Sequence, residues 1–193
     1  MKNQIIKFVD KVTLKSCLIV TAIFMIVLWV IDFSPIGVAG LLKVSNGVGI
    51  LDFETRYTVE YAYDWLERMG HAGRMFHLKR VMPMDIIFPP CFMMFMFSWS
   101  SLLAQRATAR DSFFRCLPVI AVFYMLLDWI ENVGISLMLF KYPERLNKIC
   151  VATGWISSFK KSVILCIIII CIVEFILLSI HKIMEVLNAK NKG

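Results

Sequence analysis

Charge is scarce along this chain: 18% of its 193 residues are Asp, Glu, Lys or Arg against 59% hydrophobic, and the mean hydropathy is +0.74. A soluble domain is nearer half apolar and a quarter charged, so the excess needs a lipid environment. The parts that announce familiar chemistries are also missing. No Cys-x-x-Cys pair occurs among Cys17, Cys91, Cys116, Cys150, Cys166 and Cys171, which excludes quinone-linked disulfide chemistry. Five of the six lie in or beside apolar runs and read as small buried hydrophobes rather than disulfides or metal ligands. His71, His77 and His181 all fall outside or at the boundary of the apolar runs, which excludes bis-His haem ligation and the Glu-x-x-His di-iron pattern inside a bundle. His71 and His77 are badly spaced for zinc on one helix and read as interfacial or capping residues. P-loop, dinucleotide and H-e-x-x-H-type fingerprints are absent. Ser98-Trp99-Ser100-Ser101 has no nearby His or Lys base and reads as small polar packing between helices. No cofactor and no metal are expected. The net charge of +7 is spread among hydrophobic segments instead of gathered on one face, which disfavours nucleic acid and points to topology and anionic headgroups.

Four apolar runs approach the ~20 residues that a span needs. They cover about 16–31, 86–105, 116–140 and 162–180, and predict an all-α integral membrane four-helix bundle in a single domain, 1–193. The first is short, but no A-x-A-like site follows Trp29-Val30-Ile31, so it reads as an uncleaved span. The second is entered through Pro83 and Asp85, and Pro89-Pro90 is expected to kink or restart its helix. Lys2, Lys7, Lys11 and Lys15 precede span one, Arg106, Arg110 and Arg115 fill the turn after span two, and Lys182, Lys190 and Lys192 follow span four. That distribution predicts a multi-pass protein with both termini cytoplasmic. Against it, the segment between spans three and four carries Lys141, Arg145, Lys148, Lys160 and Lys161 and would face outward.

Between spans one and two lies the one large polar segment. Its first part, Phe33 to Asp52, carries Gly37, Gly40, Gly47 and Gly49 and reads as irregular. Its second part, about 58–69, predicts an amphipathic interfacial helix: Thr58 suits the N-cap, Glu60 the first turn and Gly70 the C′ position. Ala62, Trp65, Leu66 and Met69 recur at helical spacing opposite Glu60, Asp64, Glu67 and Arg68, on a helix that either lies on the membrane or packs on the bundle mouth.

The residues most able to carry chemistry are Asp128-Trp129-Ile130-Glu131-Asn132, in the middle of span three. An acid at a helix centre costs roughly 2.5–3.5 kcal/mol on insertion scales and is usually turned inward. At 100° per residue Tyr124, Asp128 and Glu131 fall within about 60° of arc, with Asn132 and Ser136 extending the stripe. Two carboxylates at i and i+3 do not both ionise cheaply in a low dielectric, so one holds a proton or a cation sits between them. Glu174 in span four is expected at the level of Asp128 if the two helices run antiparallel. Asp85 opens span two. These acids read either as glue between helices, or as a binding or proton-handling site, or as catalytic groups.

Gly70-x-x-Gly73-Arg74, then Asp85-x-x-Phe88-Pro89, then Asp128-x-x-Glu131-Asn132, in this order, resembles a group of small, uncharacterised four-span membrane proteins, chiefly bacterial. The resemblance covers most of the chain and brings no known reaction. It implies that Arg74, Asp85, Asp128, Glu131 and Asn132 belong to one site.

The leading expectation is a non-enzymatic binding protein or accessory subunit of a membrane complex, with membrane lipids, a membrane protein or a second copy as partner. The second is an enzyme on a lipid or prenyl substrate, with Asp128 or Glu131 as general acid–base and Arg74 on an anionic headgroup. The third is a proton- or cation-coupled carrier, which without an internal repeat would need a dimer. A side-opening apolar pocket, a wet path between acids, or a dry bundle with all acids paired distinguishes the three.

Overall fold

The computed structural model describes the backbone of residues 2–51, 54, 57–110 and 112–190, with side chains as far as 180 and at 183 and 184. These residues are mostly helical, with no strand among them. A short amphipathic helix, α1 (Lys2–Val9), precedes α2 (Leu14–Phe33). Thr13 caps α2 in a reciprocal capping box with Ser16. A compact cap follows, built from α3 (Val38–Val44), α4 (Val59–Arg68) and α5 (Gly70–Phe76). A π-helical turn, His77–Val81, carries α5 into α6 (Met82–Ala107). A 3₁₀ segment, Phe113–Val119, leads into α7 (Ile120–Lys141), and α8 (Asn147–Lys190) ends the described chain.

Among the described residues, four stretches are long and apolar enough to cross a membrane: Leu14–Val44, Gly70–Ala107, Phe113–Lys141 and Asn147–Ile180. Two depart from the expected spans in an informative way. Residues 70–107 form one near-continuous helical run, and α6 continues through Pro89-Pro90 without restarting. The reason lies in the next helix. A proline at i removes the bond to the carbonyl at i−4, so Pro89 and Pro90 release the carbonyls of Asp85 and Ile86. Asn132 Nδ2 donates to the Asp85 carbonyl at 3.1 Å and Trp129 Nε1 to the Ile86 carbonyl at 3.1 Å. Both freed acceptors are satisfied by α7, which also fixes the α6–α7 register.

The second departure is α8, which begins at Asn147 and not near 162. The polar segment expected between spans three and four shrinks to residues 142–146, and Lys148, Lys160 and Lys161 are helical. Lys160 does not end the helix because its charge is matched by acids on α7. Among the basic residues expected on the inner flank, the side chains of Lys182 and Lys190, and all of Lys192, lie outside the described residues. So does Asp52.

The segment expected to be irregular after Phe33 contains α3. It turns back tightly: a Cβ at Gly37 would meet the Ile31 carbonyl at 1.9 Å, and one at Gly40 the Pro35 carbonyl at 1.9 Å. The Thr58 hydroxyl accepts from the Tyr61 N–H at 3.2 Å at the head of α4, and Gly70 takes a φ of +66° after it. Trp65, Leu66 and Met69 are buried, and Trp65 Nε1 donates to the Gly49 carbonyl at 2.9 Å. The dry apolar core is in this cap: Leu41, Leu51, Trp65 and Leu66 meet Ile135, Met138 and Leu139 of α7 and Cys150 of α8. Below it, large apolar side chains such as Ile26, Phe123, Ile130 and Ile172 are exposed on the outside of the bundle, as surfaces facing hydrocarbon should be.

Candidate functional site

The α7–α8 contact is close because both helices present small residues there. A Cβ at Gly134 would lie 2.0 Å from Thr153 Oγ1, and such small-residue crossings let backbones approach. One to two turns away the same face carries charge. Lys160 Nζ lies 2.7 Å from Asp128 Oδ1 and forms a second ion pair with Glu131. All three are sealed, at 5%, 4% and 0% exposure. Tyr124 donates its hydroxyl to Asp128 Oδ1 at 3.2 Å, and Asn132 Nδ2 donates to Asp128 Oδ2 at 3.2 Å. Asp128 is thus held by three donors. Glu131 has Lys160 as its ion-pair partner and no hydrogen bond that meets normal geometry. One ammonium against two carboxylates leaves a formal surplus of one negative charge.

Asn132 joins this network to α6. With one N–H on the Asp85 carbonyl and the other on Asp128, both of its donors are spent. Its Oδ1 is buried and accepts no hydrogen bond. The same residue lines a groove of about 660 Å³ between α6 and α7. Leu78, Ile86, Trp129 and Phe140 line it, and Asp85, Asn132 and Ser136 are the polar residues of an otherwise apolar lining.

No family model, no curated protein and no solved structure matches this chain. The site therefore rests on its own geometry.

Of the expected residues, Asp85, Asp128, Glu131 and Asn132 converge. Arg74 does not: its guanidinium donates to the Leu66 carbonyl at 2.6 Å and stacks 4.0 Å from the Tyr142 ring, tying α4 and α5 to the end of α7. Glu174 is buried but stands apart, because it lies two heptads beyond Lys160, about 21 Å along the helix at 1.5 Å per residue. With α8 starting at Asn147, Glu174 falls about 40 Å from that end of its helix and Asp128 only about 20 Å from the Lys141 end of α7. The shared level expected for these two acids is occupied instead by Lys160. His77, expected at a boundary, is fully buried with its ring edge-on to Trp65 at 5.7 Å between centroids. Among the described residues no three His, Cys, Asp or Glu side chains gather as a metal-holding group.

Lys160 is the site residue that sequence reasoning missed. Its signal was present: the buried positions Cys150, Thr153, Ser157, Lys160, Ile167 and Glu174 follow one helical stripe, so tracing back from Glu174 by sevens reaches Lys160.

Proposed function

We propose that this chain is a non-enzymatic lipid-binding protein of the membrane, whose α6–α7 groove takes the apolar part of a bilayer amphiphile. The observation that carries the reading is the groove itself, about 660 Å³ and almost wholly apolar. Ligand sites are commonly concavities of roughly 300–1,000 Å³ with this composition. The charged cluster behind it acts as the rigid back wall. Glu131 is fully buried and absent from the groove lining, Asp128 is saturated by donors, and Arg74 is engaged elsewhere. That arrangement leaves Asp85 as the one carboxyl in the groove lining, with no second acid–base group and no anion clamp beside it, which disfavours catalysis.

The topology that goes with this reading places both termini in the cytoplasm. Neutralisation of Lys160 within the bundle removes one of the five basic residues that opposed it, and Lys141 faces Glu144 at 3.8 Å. Single-cysteine labelling at Asn3 and Asn46 checks it, and labelling of both from the same side refutes it.

The binding test is native mass spectrometry of the full chain extracted with its membrane lipids. Leu137 lines the groove and is partly exposed, so Leu137→Trp plugs it without touching the ion pairs. Retained lipid in the unmodified chain and loss of most of it in the variant support the proposal. Equal retention overturns it.

A further inference from the structure

At the end of the bundle opposite the groove, α1 is docked on the turn between α6 and α7. Gln105, in the last turn of α6, donates its Nε2 to the Val9 and Val12 carbonyls, the latter at 2.9 Å. Asp10 receives two guanidiniums, that of Arg110 at 2.9 Å and that of the buried Arg115. Arg115 also donates to the Gln105 carbonyl at 2.8 Å, so one arginine joins α1 to α6. Asn3, Ile6, Lys7 and Asp10 follow at i, i+3, i+4 and i+7 and share one face of α1. Along that face runs an open cleft of about 450 Å³, lined by Asn3, Ile6, Lys7 and Arg110. Its charge is positive and partly unspent. Asp10 is one carboxylate against two guanidiniums, and Lys7 is exposed with no ion pair among the described residues. Arg110 bonds Asp10 through Nε alone, which leaves its two terminal nitrogens for another acceptor. The two flanking segments, residues 2–15 and 105–119, carry seven Lys or Arg against Asp10 and Asp111, the latter outside the described residues.

The surroundings set this cleft at the height of lipid head groups. Leu14, Leu18 and Ile19 are exposed where α2 begins, and Phe113 and Phe114 where the chain leads into α7. Lys7 therefore stands seven residues ahead of one hydrocarbon-facing segment and Arg110 three residues ahead of the other. The helical run 70–107 gives the same level. Its exposed Arg80 and Arg106 are 26 residues apart, about 39 Å at 1.5 Å per residue, close to the roughly 40–45 Å that separates the two head-group layers of a bilayer. Basic side chains at that height attract anionic lipids. A free phosphate would meet the cations alone, whereas a lipid also meets the exposed Leu14, Phe113 and Phe114 with its chains.

We infer that the cleft between α1 and the α6–α7 turn seats the phosphate of an anionic membrane lipid between the Lys7 ammonium and the Arg110 guanidinium. The site lies at the far end of α6 from the groove and stands without it. The full chain, stripped of lipid in detergent, is titrated with phosphatidylglycerol or with phosphatidylcholine of the same acyl chains and read by native mass spectrometry. Phosphatidylglycerol is expected to bind the tighter, and Lys7→Gln to weaken it about fivefold, the worth of one basic residue beside an anionic surface. Phosphatidylcholine binding should not move. Lys43→Gln removes the same charge from α3, in the cap at the other end of the bundle, and is expected to leave both lipids unchanged. Any lipid held in the groove is held by both variants alike, so their difference isolates the cleft. Equal binding of the two lipids by the unmodified chain overturns the anionic head group. An unmoved phosphatidylglycerol affinity in Lys7→Gln, or an equal loss in Lys43→Gln, overturns the cleft as its seat. Displacement of phosphatidylglycerol by glycerol phosphate at a comparable concentration overturns the lipid in favour of a free anion. Thermal unfolding checks that Lys7→Gln folds, and Lys7→Arg, which keeps the charge, should restore the binding.

Discussion

Replacing Lys160 with methionine keeps the length and apolar stem of the side chain and deletes its charge, leaving Asp128 and Glu131 facing each other in a sealed interior. Both carboxylates lie within ion-pair reach of the ammonium, and removing one partner of a buried pair costs about 3–5 kcal/mol because the other charge is stranded. Here two charges are stranded, so Lys160→Met is expected at the upper end of that range. At roughly 2–4 °C per kcal/mol for a chain of this size, the midpoint of thermal unfolding in detergent should fall by on the order of 10–20 °C. Glu131→Gln acts the opposite way: it leaves one ammonium against one carboxylate, removes the surplus charge and keeps the shape, so its cost is expected within about 1 kcal/mol. The triple variant Lys160→Met, Asp128→Asn, Glu131→Gln should recover most of the loss, since neutral replacements of a buried ionic cluster are often tolerated. A fall of under about 1 kcal/mol in Lys160→Met, or a cost for Glu131→Gln as large as that of the lysine variant, refutes the balance of charge drawn from these distances.

If Trp129 satisfies the carbonyl that Pro90 frees, Trp129→Phe costs about 1–3 kcal/mol in the natural background. The cost shrinks in Pro90→Ala, where the alanine N–H reaches the Ile86 carbonyl; a double-mutant cycle with no coupling rules the pairing out. Gly134→Ala drives a methyl group to 2.0 Å from Thr153 Oγ1 and should destabilise by about 1–3 kcal/mol. Thr153→Ala should restore most of that loss, and no rescue would mean that the helices are not in contact there. In the cap, the Tyr61 hydroxyl donates to Glu54 at 2.7 Å, and that bond holds the phenol pKa above the ordinary tyrosine value. Phenolate carries no proton to donate, so Glu54→Gln should let Tyr61 ionise at lower pH in an ultraviolet difference titration, and an unmoved titration contradicts the bond.

Apolar run length was enough to read four helices, because a helix that faces hydrocarbon has no other way to satisfy its backbone. The inward stripe of Asp128, Glu131 and Asn132 was legible from 100° geometry alone. Lys160 was not, since a hydropathy window treats Lys160-Lys161 as the end of a span, and the acids that neutralise the first lysine lie about thirty residues earlier on another helix. The level of Glu174 was misjudged for the same reason: depth was counted from a helix start placed some fifteen residues too late. Arg74 was grouped with the acids through its place in a short motif, yet its nearest acceptor is a carbonyl eight residues away. Local capping in α4 was readable from Thr58 and Gly70. The π-helical turn that joins α5 to α6 carries no composition signal in His77–Val81, and what accompanies it is tertiary, the burial of His77 against Trp65.

The two prolines of α6 explain why a polar site forms at this depth at all. In a hydrocarbon surrounding, a carbonyl released by proline needs a donor from another helix, and two in succession need two donors one turn apart on the facing surface. Trp129 and Asn132 stand three residues apart on α7, and both bonds are 3.1 Å long. That requirement turns Asn132 towards α6. Its second N–H then reaches Asp128 one turn before it on the same helix, and Asp128 in turn draws Lys160 from α8. Glu131 sits next to Asn132 and shares the lysine. Three helices are thus registered by a chain of acceptors that starts at two missing amide protons, and it leaves Asn132 Oδ1 sealed inside the bundle without a hydrogen bond.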